Sequence, residues 1–293
     1  MKTHTYLLLI LGLCLGFLAC QSSETTDTEV EEATLTTDQL ADSIRYFRQN
    51  FEQTDFLSRR VHDLERQQSF DIQLKMLEQE LAAGAKVVGW KMGGTATPDS
   101  AAFDPVFGYI LDRYLVPTDS IVDSDHFPGG SMLVEGEIGF IIKNDLKEGV
   151  ASKEALMDQI DQVIGAVEFA QSTAIPAGEG PLNLNYVIAT GMGQVGTLPG
   201  TVQVAPGDFD FDAETVRCYV NDELAAEGSS ANIFGNPLNA LYELANLLPT
   251  QGQYLKAGDI VITGSTYQNP SIDGPADVRL EFSTLGTINF KSK

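Results

Sequence analysis

The segment VEGEIGFII, residues 134–142, has the composition of a buried β-strand that carries two glutamates. Alternate side chains of a strand point to one side and each residue adds about 3.3 Å, so Glu135 and Glu137 share a face with roughly 7 Å between them. Apolar residues occupy the opposite face: Val134, Ile138, Phe140 and Ile142. Two carboxylates in such surroundings either face solvent or need protonation, basic partners or a metal ion.

A third glutamate favours the metal ion. Glu168 lies in VIGAVEFA, residues 163–170, a second apolar run in which an acidic side chain is unexpected. Three carboxylates supply hard oxygen donors of the kind that Mg²⁺ or Mn²⁺ binds, with water and substrate completing the coordination. The three glutamates together predict a magnesium or manganese site, although Glu135 and Glu137 alone also fit a strand with one solvated face.

One basic residue interrupts the apolar, glycine-rich segment VVGWKMGG, residues 87–94. A lysine that has lost its hydration has a lowered proton affinity and can act as a general acid or base, which makes Lys91 a catalytic candidate. The alternative is that its side chain extends to the surface. The three histidines, His4, His62 and His126, lack the spacing of a zinc site or of a Ser-His-Asp arrangement.

The chain on either side of these segments predicts few helices and many strands. A helix behind a cap at Thr37 places Leu40, Ile44, Phe47 and Phe51 on one face, and a second helix runs from Ser69 to a stop at Gly84. After Val87, short β-like runs alternate with Gly and Pro, and helices follow only Ser152 and the cap residue Asn236. This pattern is typical of an α+β domain built on a mixed sheet or β-roll.

The first 35 residues predict export. Met1 and Lys2 precede an apolar stretch that ends in Phe17-Leu18-Ala19-Cys20, which resembles the lipobox of bacterial lipoproteins. We therefore expect a signal peptide over residues 1–19, lipid on Cys20 and a flexible acidic tether over residues 20–35. The expected location is the cell envelope, on its periplasmic or surface face, and an ordinary secretory signal is the alternative.

Net charge limits the partners. The formal charge is -23, so the phosphates of a nucleic acid would be repelled, whereas cations, including divalent metals, are attracted. Cys218 is the only cysteine left once the expected signal is removed and Cys20 is acylated, so no internal disulfide is expected.

Five segments between about Phe70 and Lys291 form an ordered set of motifs. They are AAGAKVVGWKMGGT, DPVFGYILDRYL, VEGEIGFIIKNDL, GAVEFA and GNPLNALYELANLLPTQGQYLKAGDIVITGS. In order and spacing this set resembles the fumarylacetoacetate hydrolase superfamily, specifically its branch of 2-oxopent-4-enoate hydratases and 4-oxalocrotonate decarboxylases. The resemblance implies an α+β fold with a mixed β-roll core over residues 87–293 and an N-terminal helical segment over residues 36–86.

The resemblance also implies the roles of particular residues. A divalent ion, Mg²⁺ or Mn²⁺, would be held by Glu135, Glu137 and Glu168, with Lys91 catalytic beside the substrate. Thr263 and Ser265 belong to the TGS segment that tends to line the same pocket in this superfamily, and they are expected to bind substrate.

The implied activity is that of a metal-dependent lyase. A small unsaturated 2-oxo acid would react through a metal-stabilised enolate, by addition of water or by loss of carbon dioxide. Two alternatives remain: an acylpyruvate-type carbon-carbon hydrolase, which usually needs a His-Glu pair to activate water, and a lipoprotein that binds an oxo acid without catalysis. Homo-oligomers are common in this superfamily, so one is expected here.

The chain departs from the superfamily's pattern at three places. Val106 stands in the Pro-x-x-Gly loop where hydratases often carry an acid, which favours a decarboxylase or an altered activity. Gln171 and Thr173 occupy the region after Glu168 where an aspartate or glycine and then an arginine are common. GPLNLN, residues 180–185, replaces the usual Asp-Asn-Ala-Ser stretch. These departures concern substrate recognition rather than the metal ligands.

Overall fold

The computed structural model describes residues 35–95 and 106–293, and Leu35–Lys293 form one compact unit. The expected signal peptide, Cys20 and the expected tether up to residue 34 lie outside the described residues. No helix among the described residues has both the length and the apolar character needed to cross a bilayer. The segment boundary expected at residue 86 stays a prediction.

Six α-helices lie within the described residues. They are α1 (Thr37–Gln49), α2 (Phe56–Arg60), α3 (Arg66–Ala82), α4 (Lys153–Met157), α5 (Leu184–Ala189) and α6 (Pro237–Thr250). A capping box of Thr36 and Gln39 starts α1, one residue before the cap that the sequence indicated. Phe51 was expected on the buried face of this helix; instead it lies beyond the helix end with a positive φ of 55° and is 38% exposed.

Twelve strands follow α3 within the same ranges. They are β1 (Val87–Gly93), β2 (Val106–Leu111), β3 (Ile121–Val122), β4 (Met132–Ile142), β5 (Ile160–Ala170), β6 (Gln194–Val204), β7 (Thr215–Val220), β8 (Glu223–Ser229), β9 (Ile260–Ser265), β10 (Ser271–Ile272), β11 (Ala276–Phe282) and β12 (Gly286–Ser292). A seven-stranded sheet has the order β2-β1-β9-β4-β5-β6, with β10 paired to β4. A five-stranded sheet has the order β3-β12-β11-β7-β8.

Both sheets are mixed. The β1–β9 and β3–β12 pairs are parallel, and the other pairs are antiparallel. Aromatic side chains join the two sheets, since the rings of Phe169 on β5 and Phe290 on β12 meet edge to face at 4.8 Å, and both are buried. The α+β prediction, with a mixed sheet and N-terminal helices, is confirmed.

The N-terminal helices support the edge of the larger sheet. Phe70 of α3 stacks on Phe107 of β2 with ring centroids 4.7 Å apart. The buried Gln73 amide donates to the carbonyl oxygens of Phe107, at 3.1 Å, and of Ile188 on α5, at 2.7 Å. A buried amide that satisfies two carbonyls fixes the position of both elements. Strand β2 is therefore held rigidly beside β1, which carries Lys91.

Candidate metal centre

Strand pairing brings the three predicted glutamates together. In the β4–β5 ladder Glu135 lies directly opposite Glu168, and in the β4–β9 ladder Glu137 lies opposite Ser265. Directly paired residues of neighbouring strands point to the same side of a sheet, and so do alternate residues of one strand. One carboxylate oxygen from each of the three glutamates lies within 4.8 Å of the others. Glu137 and Glu168 are completely buried, and Glu135 is partly exposed.

Two of these carboxylates have one oxygen bound to protein and one left over. Glu137 Oε2 accepts from the backbone N–H of Gly264 at 2.7 Å, and Glu168 Oε1 accepts from Lys91 Nζ. Glu137 Oε1 and Glu168 Oε2 are buried without a hydrogen-bond partner among the described residues. Unpaired buried carboxylate oxygens are costly, and a cation between them removes that cost.

The pKa values of two glutamates show the same shortage of positive charge. Loss of hydration is the largest cause of the raised pKa of Glu135, which reaches about 7, and the charge of Glu168 adds to it. Burial, followed by the charges of Glu168 and Glu135, raises the pKa of Glu137 well above its ordinary value. The oxygen-only donor set and its excess negative charge fit Mg²⁺ or Mn²⁺, and Glu135, Glu137 and Glu168 would hold the ion.

Lys91 is held as a cation beside this cluster. Its side chain is buried, and Nζ donates to Glu168 Oε1 and, at 3.0 Å, to the carbonyl oxygen of Met192. Burial works to lower its pKa, but the charges of Glu168, Glu135 and Glu137 raise that pKa above its ordinary value. The expectation of a lysine with reduced proton affinity is therefore wrong for the protein without an ion, because neighbouring carboxylates outweigh the loss of hydration.

Gly108 makes room for the lysine. It is the β2 residue paired with Lys91, and a Cβ added there would lie 3.1 Å from Lys91 Cγ and 3.2 Å from both the Gly191 carbonyl oxygen and Met192 Cβ. Those distances are tighter than ordinary van der Waals contact. The glycine of the Pro-x-x-Gly segment thus lets the lysine stem pass between β2 and the Gly191–Met192 turn.

A bulge in β9 places the N–H donor. Glu137 pairs with Ser265, yet Gly139 pairs with Ile262, so two steps along β4 correspond to three along β9. Gly264 has φ of 106°, and a Cβ added there would overlap Thr95 Oγ1. A glycine is therefore required at the bulge, where it aims its N–H at Glu137.

The same bulge separates the two predicted substrate residues. A cavity of about 580 Å³ is lined by Lys91, Glu135 and Ser265, but not by Thr263. Thr263 is completely buried and its hydroxyl donates to the carbonyl oxygen of Ile138 at 2.8 Å. The expectation that Thr263 binds substrate is not met by its position, because the extra residue in β9 breaks the alternation that would give Thr263 and Ser265 the same orientation.

Several cavity residues were not found from the sequence. They include Thr95, Ser172, Met192, Asn232, Thr266 and Gln268, which come from separate loops and strands. Their side chains are ordinary polar or apolar types with no common spacing. The sequence offered a signal only at Met192, because the glycine-rich run TGMGQ is typical of a tight turn. The structure has such a turn there, and Met192 has a φ of 59°.

Comparison with known proteins supports the same assignment. The family model described as fumarylacetoacetate (FAA) hydrolase C-terminal matches residues 112–291, more than half of the chain. The chain belongs to the fumarylacetoacetate hydrolase family. That family is the one that the ordered motifs indicated.

Similar members of the family have named activities. A 4-oxalocrotonate decarboxylase of Pseudomonas sp. (strain CF600) is 28% identical over 199 residues, 67% of this chain and 74% of the relative. A 2-keto-4-pentenoate hydratase of Paraburkholderia xenovorans (strain LB400) is 24% identical over 211 residues, 69% of this chain and 75% of the relative.

A solved structure shares the fold. It is a 4-oxalocrotonate decarboxylase from Pseudomonas putida G7 complexed with magnesium and adipate. The TM-score is 0.81 at 23% sequence identity, and the alignment covers 89% of this chain and 99% of that chain. This member of the fumarylacetoacetate hydrolase family therefore has the fold of the decarboxylase over nearly its whole length.

The three departures from the family pattern lie in different places. Val106 is completely buried and pairs with Gly93, so it does not reach the cavity. Gln171 lines both this cavity and a second one of about 510 Å³, whereas Thr173 is buried and lines only the second. GPLNLN leads into α5, where Asn183 caps the helix by accepting from Asn185 N. Of these positions, Gln171 is the one that faces the candidate site.

Proposed function

We propose that this protein is a divalent-metal-dependent lyase, a hydratase or decarboxylase, that acts on a small unsaturated 2-oxo acid. The observation that carries the proposal is the set of three glutamates with one free oxygen each from Glu137 and Glu168, directed into one cluster beside a protonated lysine. The activities named for the relatives, 4-oxalocrotonate decarboxylase and 2-keto-4-pentenoate hydratase, support the choice of reaction class.

An ion held by Glu135, Glu137 and Glu168 would act as a Lewis acid and stabilise negative charge on the 2-oxo oxygen of the substrate. The protein supplies the rest. Gly264 and Lys91 fix the second oxygens of Glu137 and Glu168, which orients both carboxylates before the substrate arrives. An ammonium group has three N–H bonds, and two are directed at Glu168 and Met192, so Lys91 retains one for an acid bound in the cavity.

The hydrolase alternative receives less support. Carbon-carbon hydrolysis in this superfamily usually needs water activated by a histidine and a glutamate. Of the described histidines, His62 does not line the cavity and His126 stacks on Phe51 at the second cavity, with ring centroids 5.0 Å apart. Within the described residues, a protonated lysine beside an ion site fits a lyase better.

The test is turnover of 2-hydroxypenta-2,4-dienoate and 4-oxalocrotonate with Mg²⁺, followed by loss of ultraviolet absorbance and by chromatography of the products. We expect one of these acids to react, and we expect EDTA to stop the reaction.

Glu137→Gln should abolish ion binding measured by calorimetry, while Glu227→Gln on the exposed strand β8 should leave ion binding unchanged. Binding of Mg²⁺ and of an oxo acid without turnover would instead support the non-catalytic alternative.

We propose further that the enzyme acts at the cell envelope, held there by lipid on Cys20, and that it forms a homo-oligomer. The sequence around Ala19-Cys20 and the acidic segment that follows it support the anchor. Radiolabelled palmitate should be incorporated into the wild-type protein but not into Cys20→Ser, which should move to the soluble fraction.

Sedimentation of the detergent-solubilised protein gives the number of subunits, and a monomer would contradict the proposed homo-oligomer.

A further inference from the structure

The cavity beside the metal centre has one basic side chain among the described residues that line it. That residue is Lys91, whose positive charge is already offset by its ion pair with Glu168, although one of its three N–H bonds is left after those to Glu168 and to the Met192 carbonyl oxygen. The only other charged lining residue described is Glu135. The remaining wall is uncharged, with apolar side chains from Met92, Leu133, Val187 and Met192 and neutral polar ones from Gln171, Ser172, Asn232 and Gln268.

Arg48, a basic residue that contacts the turn carrying Met192, is engaged elsewhere. Its guanidinium donates to the carbonyl oxygens of Thr190 and Gln194 and to the hydroxyl of Tyr114. It lines the second cavity rather than this one. The sequence of residues 96–105, ATPDSAAFDP, contains two aspartates and no lysine, arginine or histidine, so that segment brings no basic group to any site.

The charges of the site are balanced before a substrate enters. With a divalent ion bound, its two positive charges and that of Lys91 would offset the three negative charges of Glu135, Glu137 and Glu168. A bound ion would attract the carboxylate next to the 2-oxo group of the substrate. A second carboxylate, further along the substrate, would lie against an uncharged wall inside a protein of net charge -23. Transfer of a carboxylate from water into a cavity without a basic partner has a large unfavourable free energy.

From these observations we propose that the substrate is a monocarboxylic 2-oxo acid with an uncharged tail, and that dicarboxylic 2-oxo acids are excluded by charge. The inference rests on the proposed function and narrows it. An apolar or hydroxylated chain fits the wall of Leu133, Val187 and Gln171. Of the two lyase reactions, addition of water needs no second carboxylate: one C–O and one C–H bond form as the carbon-carbon π bond and one O–H bond of water break, with no oxidant or reductant.

Calorimetry with two unreactive probes tests the inference. In saturating Mg²⁺, 2-oxopentanoate should bind wild-type protein at least about tenfold more tightly than 2-oxohexanedioate, which has a similar chain and one more carboxylate; tenfold is about 1.4 kcal/mol. Equal affinity, or a preference for the dicarboxylate, would overturn the inference and leave the proposed function standing. Failure of both acids to bind the Mg²⁺-loaded protein would instead overturn the proposed function itself.

A pair of variants separates a local charge effect from the net charge of the protein. Gln171 is half-buried in the cavity wall, and its amide donates to the Ser131 carbonyl oxygen at 3.0 Å. Gln171→Arg places a cation there and should reduce the preference for the monocarboxylate by about tenfold. Gln203→Arg adds the same charge at the exposed end of β6 and should leave the preference unchanged. If both variants change it equally, the local explanation is wrong; if Gln171→Arg fails to fold, the wild-type ratio alone decides.

Discussion

At the level of single residues, Lys91 links the electrostatics of the site to its chemistry. It donates to Glu168 Oε1 and pairs with the charge of that carboxylate, and it lines the cavity as a candidate proton donor. In the protein without an ion, the charges of Glu168, Glu135 and Glu137 raise the pKa of Lys91 although burial works to lower it. An acid so placed can deliver a proton to carbon or to a departing oxygen without help from solvent.

We therefore predict that Lys91→Met lowers kcat by about 10²–10⁴-fold, the usual contribution of a positioned acid or base. Ion affinity should not fall, because removal of a positive charge leaves the carboxylates more attractive to a cation. Steady-state kinetics and ion titration of the same preparation check both statements. Lys86→Met, at an exposed lysine before β1, is the matched control. A variant with unimpaired kcat would show that Lys91 has only a structural role.

The residue scale also shows what sequence reasoning could reach. Glu135, Glu137 and Glu168 were identified because a charged residue is unexpected within an apolar strand, whichever strands that strand pairs with. Gly264 was not, because its N–H reaches Glu137 only through the register of β4 against β9, which joins residues 127 positions apart. The proton affinity of Lys91 was misjudged for the same reason, since burial is visible in a sequence and the distance to a carboxylate is not.

At the level of elements, the bulge of β9 determines which side chains face the cavity. Strict alternation would put Thr263 and Ser265 on one side, and the sequence offered no reason to expect otherwise. The additional residue turns Thr263 toward the Ile138 carbonyl and leaves Gly264 at a φ of 106°. Strand and helix positions were predictable from periodicity and caps such as Asn236, but an irregularity of one residue within a strand was not.

The bulge makes Gly264→Ala a sharp test. Strain at a φ that L-residues avoid, together with overlap of the new methyl group with Thr95, should lower the free energy of unfolding by about 1–3 kcal/mol. It should also weaken ion binding, because Glu137 loses an aligned donor. Gly258→Ala supplies the control: φ there is 87°, with no atom within 4 Å of the added Cβ. Gly258→Ala should lower the free energy of unfolding measured by urea denaturation, because of backbone strain, without weakening ion binding.

At the level of the whole molecule, the buried carboxylates make stability depend on pH. The pKa of Glu135 is about 7 in the folded protein without an ion, against an ordinary value of 4.5. Between these values the folded protein holds a proton that the unfolded chain has released, so the free energy of unfolding falls as pH rises through this window. Well below pH 4.5, Glu135 is protonated in both the folded and the unfolded protein, and the free energy of unfolding no longer loses anything from its ionisation.

We accordingly predict that Tm of the ion-free protein falls between pH 5 and pH 8, and that saturating Mg²⁺ raises Tm more at pH 8 than at pH 5. The ion binds the ionised carboxylates and relieves the repulsion that higher pH creates. Scanning calorimetry in EDTA and in Mg²⁺ across this range measures both trends. An increment in Tm that is the same at every pH would mean that the glutamates are not the ligands.

The groups that form the centre come from four consecutive strands of the larger sheet, β1, β9, β4 and β5. An ion bound at this point would stabilise the pairing of these four strands. Sliding any one strand past its neighbour would move a ligand, or the donor that supports a ligand, away from the ion. Backbone amides of β4 and β9 should consequently exchange their hydrogens for deuterium more slowly when the ion is bound, while those of the five-stranded sheet keep their rates.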